Sequence, residues 1–118
     1  MPYVDGFVLP VPTKNLDAYR KMSRKAGKVW KELGALEYRE CVGDDMNPKL
    51  PVNFPKMVKT KKGETVVFSW ILYKSKAHRD KVNKLVMKDP RILAMDPTKM
   101  PFDWKRMMYG GFKTIVDM

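Results

Sequence analysis

The sequence holds one cysteine and one histidine in 118 residues, and each scarcity closes off a class of protein. A lone Cys41 forms no intrachain disulfide, which suits a reducing cytoplasm. One Cys and one His supply no Cys/His metal cluster, and Asp44-Asp45 lie in a proline-rich stretch where neighbouring carboxylates are usually just solvated. No metal is expected. Long apolar runs are absent too. The strongest, Val66 to Tyr73, is broken by Ser69 and falls far short of the ~20 residues a membrane helix needs. The opening Met-Pro-Tyr-Val-Asp-Gly-Phe has no basic region ahead of an apolar stretch, so no secretory signal is read there. No G-x-G-x-x-G or other Gly-rich phosphate loop precedes a helix, and nothing resembles a nucleophile elbow. The expectation is a cytoplasmic protein with no membrane insertion and no cofactor.

Acidic residues are in short supply. Against 24 Lys and Arg stand 13 Asp and Glu, a formal charge of +11 that favours anionic partners. The remaining balance, 44% hydrophobic and 31% charged, is that of an ordinary globular chain. Two separate cores would each be too small, so residues 1–118 are expected to form one domain.

The periodicities give α+β architecture. Tyr3 to Val11 reads as a strand ending at the Pro10-Val11-Pro12 breaker. Asn15 then caps a helix over Leu16 to Leu33, with Asp17 in its first turn and Leu16, Tyr19, Met22, Ala26, Trp30 and Leu33 as its apolar stripe. Gly34 follows where a left-handed cap belongs. Leu36 to Val42 alternates as an edge strand, with Leu36, Tyr38, Glu40 and Val42 on one side. Gly43 to Pro55 reads as an irregular loop and Pro55 to Thr60 as a short strand. Lys61-Lys62-Gly63 then turns a hairpin into Glu64 to Tyr73. That strand is apolar on both sides, with Val66, Phe68, Trp70 and Leu72 opposite Val67, Ile71 and Tyr73. One helix layer covers one side, so a second subunit is expected over the other. Ser75 caps a second helix with an inward stripe of His78, Val82, Leu85 and Val86. Asp89-Pro90 opens a short turn, and Arg106 to Val116 is the last strand. Right-handed crossovers place the first and third main strands at the sheet centre.

Among side chains able to do chemistry, the one imidazole, His78, is a candidate base or ligand-orienting group. Arg20, Lys21, Arg24, Lys25, Lys28 and Lys31 line the outer face of the first helix, and Lys56, Lys59, Lys61 and Lys62 crowd the expected hairpin. Such point charges suit phosphate, but no exposed aromatics interleave with them as sequence-specific RNA reading requires. The ten methionines, five of them from Met95 onward, could make an adaptable binding surface but more often fill irregular core gaps.

Several strings carry a resemblance: Tyr3-Val4-Asp5-Gly6-Phe7, Val66-Val67-Phe68-Ser69-Trp70-Ile71, Asp89-Pro90-Arg91, and Met100-Pro101-Phe102-Asp103 continuing through Lys105-Arg106-Met107 to Tyr109-Gly110-Gly111-Phe112. The chain resembles the YbaA-like bacterial family of unknown function (domain of unknown function 1428) from its first strand to Asp117. The resemblance implies a dimeric α+β barrel: a ferredoxin-like βαββαβ antiparallel sheet with two main helices on one face, pairing face to face into a homodimer. It carries over no catalytic residue. Other members of that superfamily include cofactor-free monooxygenases, haem-degrading enzymes and small-molecule sensors.

Two functional expectations follow. The first is a small-molecule-binding or cofactor-free oxygenase-like domain, with a cleft between sheet and helices for a small apolar or anionic ligand. In the ferredoxin-like order Gly6 neighbours Gly110 or Gly111, opening a window that Asp5, Trp70 and Tyr109 would rim, with His78 nearer the helices. Asp5 or His78 would then be the base and Tyr109 the hydrogen-bond donor. The alternative is a non-catalytic module that binds RNA or other polyanions non-specifically through the Lys/Arg-rich surface.

Overall fold

The computed structural model describes residues 1–46 and 49–118. Strand β1, Tyr3–Pro12, outlasts the expected proline breaker. Its neighbour on one side pairs only from Tyr3 to Val8. Beyond Val8 no strand among the described residues pairs with that side of β1, so Pro10 and Pro12 stand there without breaking a ladder. A 3-10 turn, Thr13–Asn15, leads into α1, Leu16–Glu32. Asn15 occupies the N-cap position but makes no side-chain cap; its amide instead donates to the Pro101 carbonyl at 3.1 Å, tying the C-terminal loop to the helix start. Asp17 takes Arg20 at 2.7 Å and Lys21 at 3.1 Å. The buried line of α1 is Tyr19, Ser23, Ala26, Gly27 and Val29, rotated from the expected stripe, so Met22, Trp30 and Leu33 are only half-buried. Gly34, with φ 126°, ends the helix in the left-handed region, as its position predicted.

Strand β2, Glu37–Val42, lies at the sheet edge. The irregular stretch expected over Gly43 to Pro55 includes Asn47 and Pro48, which lie outside the described residues. The strand expected over Pro55 to Thr60 is instead a helix, α2, Phe54–Val58. Asn53 caps it by accepting from the Lys56 N–H at 3.1 Å, and Pro55 sits in the first turn, where a missing N–H costs nothing. The cap and the proline outweighed a weak extended pattern. Lys61 to Gly63 therefore joins a helix to β3, Glu64–Tyr73, rather than closing a hairpin.

Helix α3, Lys76–Val86, is capped by Ser75, whose hydroxyl accepts from the His78 N–H at 3.1 Å. Val82 and Val86 are buried as expected, but Leu85, rotated off their line, is exposed. Asp89 caps the short α4, Pro90–Leu93. The last strand, β4, spans only Met108–Lys113. Trp104–Arg106 forms a 3-10 turn capped by Asp103. At the far end Lys113 faces Tyr3, the first residue of β1, and one further backbone bond, Thr114 N–H to the Pro2 carbonyl at 3.0 Å, closes the pairing.

The four strands form one antiparallel sheet in the order β2-β3-β1-β4, with β1 and β3 central. Helices α1 and α3 pack on one face over Val29, Ile71, Tyr73, Val82 and Val86, and a second cluster joins Leu9, Val11, Tyr19 and Val67. Each fully buried side chain of this kind stabilises the fold by roughly 1.5–3 kcal/mol. The fold is α+β and ferredoxin-like. On the opposite face stand Val4, Val8, Phe68, Trp70, Met108 and Phe112. Among the described helices α2 reaches that side, its Phe54 ring 6.4 Å from Phe68, and Phe68 and Phe112 remain 43% and 61% exposed. No helix among the described residues is long and apolar enough to cross a membrane.

Candidate functional site

An open cleft of about 900 Å³ lies between α1 and the β2 edge of the sheet. Two periodicities build it. From α1 come Arg20, Ser23, Arg24, Gly27, Lys28 and Lys31, spaced at three, four and one so that they share one side of the helix. From β2 come Tyr38, Glu40 and Val42, whose period of two points them all at the helix layer. Val67 of β3 adds an apolar floor.

Glu40 organises the interior. Tyr19 donates to its Oε1 and Tyr38 to its Oε2, each at 2.8 Å, so both carboxylate oxygens are held. Burial, then the Glu40 charge, pushes both phenols far above the ordinary tyrosine value, so they act as hydrogen-bond donors and not as phenolates. Gly27 makes room for the Tyr38 ring: a Cβ there would lie 2.7 Å from Tyr38 Cδ1. Ser23 is 3% exposed, and its hydroxyl, beside the Tyr19 phenol, makes no hydrogen bond of good geometry among the described residues. The mouth is cationic. Arg20 is tied to Asp17, and the Lys31 ammonium donates to the Leu36 carbonyl at 2.7 Å. Arg24 and Lys28 make no ion pair or side-chain hydrogen bond among the described residues.

The glycine window lies elsewhere. Gly6 pairs with Gly110, and Trp70 faces Gly6 from β3. The pleat turns these three away from the helices, and turns Asp5, Tyr109 and Gly111 toward them. The expected rim is therefore divided between two faces of the sheet. An almost wholly apolar hollow of about 570 Å³ does lie over Gly6, Trp70, Tyr109 and Gly110, with the Phe112 ring across it, 3.3 Å from where a Cβ on either Gly6 or Gly110 would stand. Tyr109 borders that hollow but sends its hydroxyl to the helix side, where it accepts from Arg79 at 2.6 Å and donates to Asp5 at 3.1 Å. Arg79 also donates to Asp5 at 2.8 Å and stacks over Tyr3, its guanidinium 4.9 Å from the ring centre. Asp5 and Tyr109 are thus brought together but committed to tying α3 to the sheet, and burial followed by the Asp5 charge raises the Tyr109 phenol. At Gly111 a Cβ would meet the Tyr3 hydroxyl, so this glycine serves close packing. His78 accepts the Lys74 N–H on Nδ1 at 3.0 Å and meets the Tyr73 ring edge-on, which places it in the α3 cap.

Of the basic patch, Arg20, Arg24, Lys28 and Lys31 rim the cleft, and Lys21 and Lys25 stand exposed beside them. The turn carrying Lys61 and Lys62 is joined to the chain before α1 by Thr13 N–H donating to Gly63 O at 2.8 Å. Lys59 holds a left-handed φ of 57°, its carbonyl accepting from Arg106 at 2.9 Å. Among the described residues no cluster suited to a metal ion occurs. Sequence reasoning passed over Ser23, Gly27, Glu40 and Arg79. The signal for Glu40 was present: a carboxylate on the otherwise apolar side of an edge strand.

The family model described as "Protein of unknown function (DUF1428)" matches residues 2–104. The chain is 49% identical over 117 residues to the uncharacterized protein YbaA of Escherichia coli strain K12, covering 99% of each. Among solved structures it is similar to an uncharacterized NIPSNAP domain protein from Burkholderia xenovorans, with TM-score 0.61, 14% identity, and 95% and 93% of the two chains covered. It is also similar to a dimeric ferredoxin-like protein from an uncultured marine organism, with TM-score 0.56, 14% identity and full coverage of both chains. At these identities the structural likenesses speak to the fold.

Proposed function

Because this chain belongs to the DUF1428 family, a family described only by its unknown function, we propose a role from the chain's own geometry: it binds a small molecule in the cleft between α1 and β2. The observation that carries this reading is the cleft itself. Its volume of about 900 Å³ lies at the upper end of the ~300–1,000 Å³ usual for ligand sites, and its few polar groups converge on an apolar floor. The Tyr19–Glu40–Tyr38 bonds fix those groups before any ligand arrives, so little ordering is left to oppose binding. Glu40 is the carboxylate inside the cleft, Asp17 being tied to Arg20 and Lys21 at its rim, so the enzymatic form of this reading, a cofactor-free oxygenase-like reaction, would use Glu40 as proton acceptor rather than Asp5 or His78. The lone Cys41 suits the cytoplasm as its compartment.

The test is a fragment screen by amide NMR on the whole chain. Compounds that bind are expected to move the Ser23, Gly27 and Tyr38 resonances together. A chemically diverse set that leaves all three unmoved would overturn the reading.

One observation favours a second reading. Six cations, Arg20, Lys21, Arg24, Lys25, Lys28 and Lys31, are exposed along α1, enough for non-specific attraction to RNA or another polyanion. The open sheet face supports a homodimer, with a second copy over Phe68, Trp70 and Phe112.

A further inference from the structure

Resting on the cleft reading above, we infer that the ligand is an amphipathic anion: an acid group between Arg24 and Lys28 at the mouth, an apolar or flat body along Tyr38 and Val67, and a neutral hydroxyl or carbonyl that meets Ser23 within. Three observations define this class.

The first is the Ser23 hydroxyl, buried beside the Tyr19 phenol and without a hydrogen bond of good geometry among the described residues. Buried polar atoms are nearly always paired, and an unpaired one at the wall of a cleft is answered when a ligand supplies the bond. The second is Glu40. Both its oxygens already accept phenol hydrogens, so it has little demand for a cation, yet its charge repels a second anion. The inner end of the ligand is therefore polar but uncharged. The third is the pair Arg24 and Lys28. They stand one helical turn apart at the mouth and are free of the partners that engage Arg20 and Lys31. Each directly follows an inner residue of α1, Ser23 or Gly27. One turn of helix thus presents a neutral hydroxyl inside and two free cations outside, with opposite demands on the two ends of a single ligand.

Three related compounds separate these demands: 6-hydroxy-2-naphthoate, 2-naphthoate without the hydroxyl, and 2-naphthol without the acid. Binding to the wild-type chain is followed by calorimetry, and the site is located by the Ser23, Gly27 and Tyr38 amide resonances. The hydroxy acid is expected to bind about tenfold more tightly than either relative. Ser23→Ala should abolish its advantage over 2-naphthoate. The double variant Arg24→Gln, Lys28→Gln should abolish its advantage over 2-naphthol and flatten the salt dependence. If 2-naphthol perturbs the cleft as tightly as the hydroxy acid, the cleft reading stands and the anionic class falls. If neutral fragments move the cleft resonances and none of the three naphthalenes does, the class falls in the same way. If nothing moves them, the cleft reading falls as well. The wild-type comparison needs no variant, so a misfolded Ser23→Ala leaves the inference open to refutation.

Discussion

At Gly27 two effects of one added methyl group oppose each other. Helix propensity alone says that Gly27→Ala should stabilise α1 by about 1 kcal/mol. The new Cβ would, however, stand 2.7 Å from a Tyr38 ring that Glu40 holds by its hydroxyl and Trp30 backs at 6.0 Å between ring centres. Overpacking of this kind costs roughly 1–3 kcal/mol. The clash is expected to win, giving a net loss on urea denaturation; a gain of propensity size would show that the ring yields freely. Asp5 presents a plainer case. Its side chain is 2% exposed and that of Arg79 14%, so Asp5→Asn leaves a guanidinium largely buried with a weakened partner. A loss of about 3 kcal/mol is expected, at the low end for a broken buried pair because Arg79 keeps Asp80 at 2.8 Å. A loss below about 1 kcal/mol would mean that the pair is solvated. Neither effect was legible in the sequence. Asp5 was singled out as a candidate base, but Arg79 lies 74 residues away and nothing local links them.

Among the elements, legibility followed the strength of local signals. β1, α1, β3 and α3 announced themselves by long periodic runs with caps, and their order then settled the sheet. α2 did not, because five residues are too few to show a helical period and only the Asn53 cap and Pro55 mark it. The cleft was half visible. Its cations were recognised as a face of α1, and Tyr38 and Glu40 as one side of β2, but the inward rotation of Ser23 and Gly27 depends on how the helix rolls onto the sheet. That roll is a tertiary outcome. The cations of α1 also allow a test of the polyanion reading. Neutralising Lys21, Lys25 and Lys28 together is expected to weaken retention on RNA and lower its salt slope by up to about three charges' worth. An unchanged slope would remove α1 from any such contact.

For the whole molecule, the exposed Phe68 and Phe112 beside a half-buried Trp70 make a homodimer the expected solution state. Light scattering at micromolar concentration should give twice the chain mass, with an apolar contact above roughly 1,000 Å² in total. A monomer would leave this face without an explanation. Phe112→Asp, at the ring that lies over the Gly6–Gly110 hollow of this face, should dissociate the dimer and leave the helix-side core intact. The glycine window belongs to this face: the pleat could be counted from the sequence, but Asp5 and Gly6 were assigned to one rim although consecutive strand residues point oppositely. The same alternation along β2 has a consequence for how such a protein can change. Tyr38 and Glu40 look into the cleft, and Arg39, between them, stands opposite Trp70 and looks toward the other side. Neighbouring codons thus answer to different selective pressures. Ligand preference and subunit pairing can drift independently within one short strand, and relatives could diverge in what they bind while keeping the same assembly.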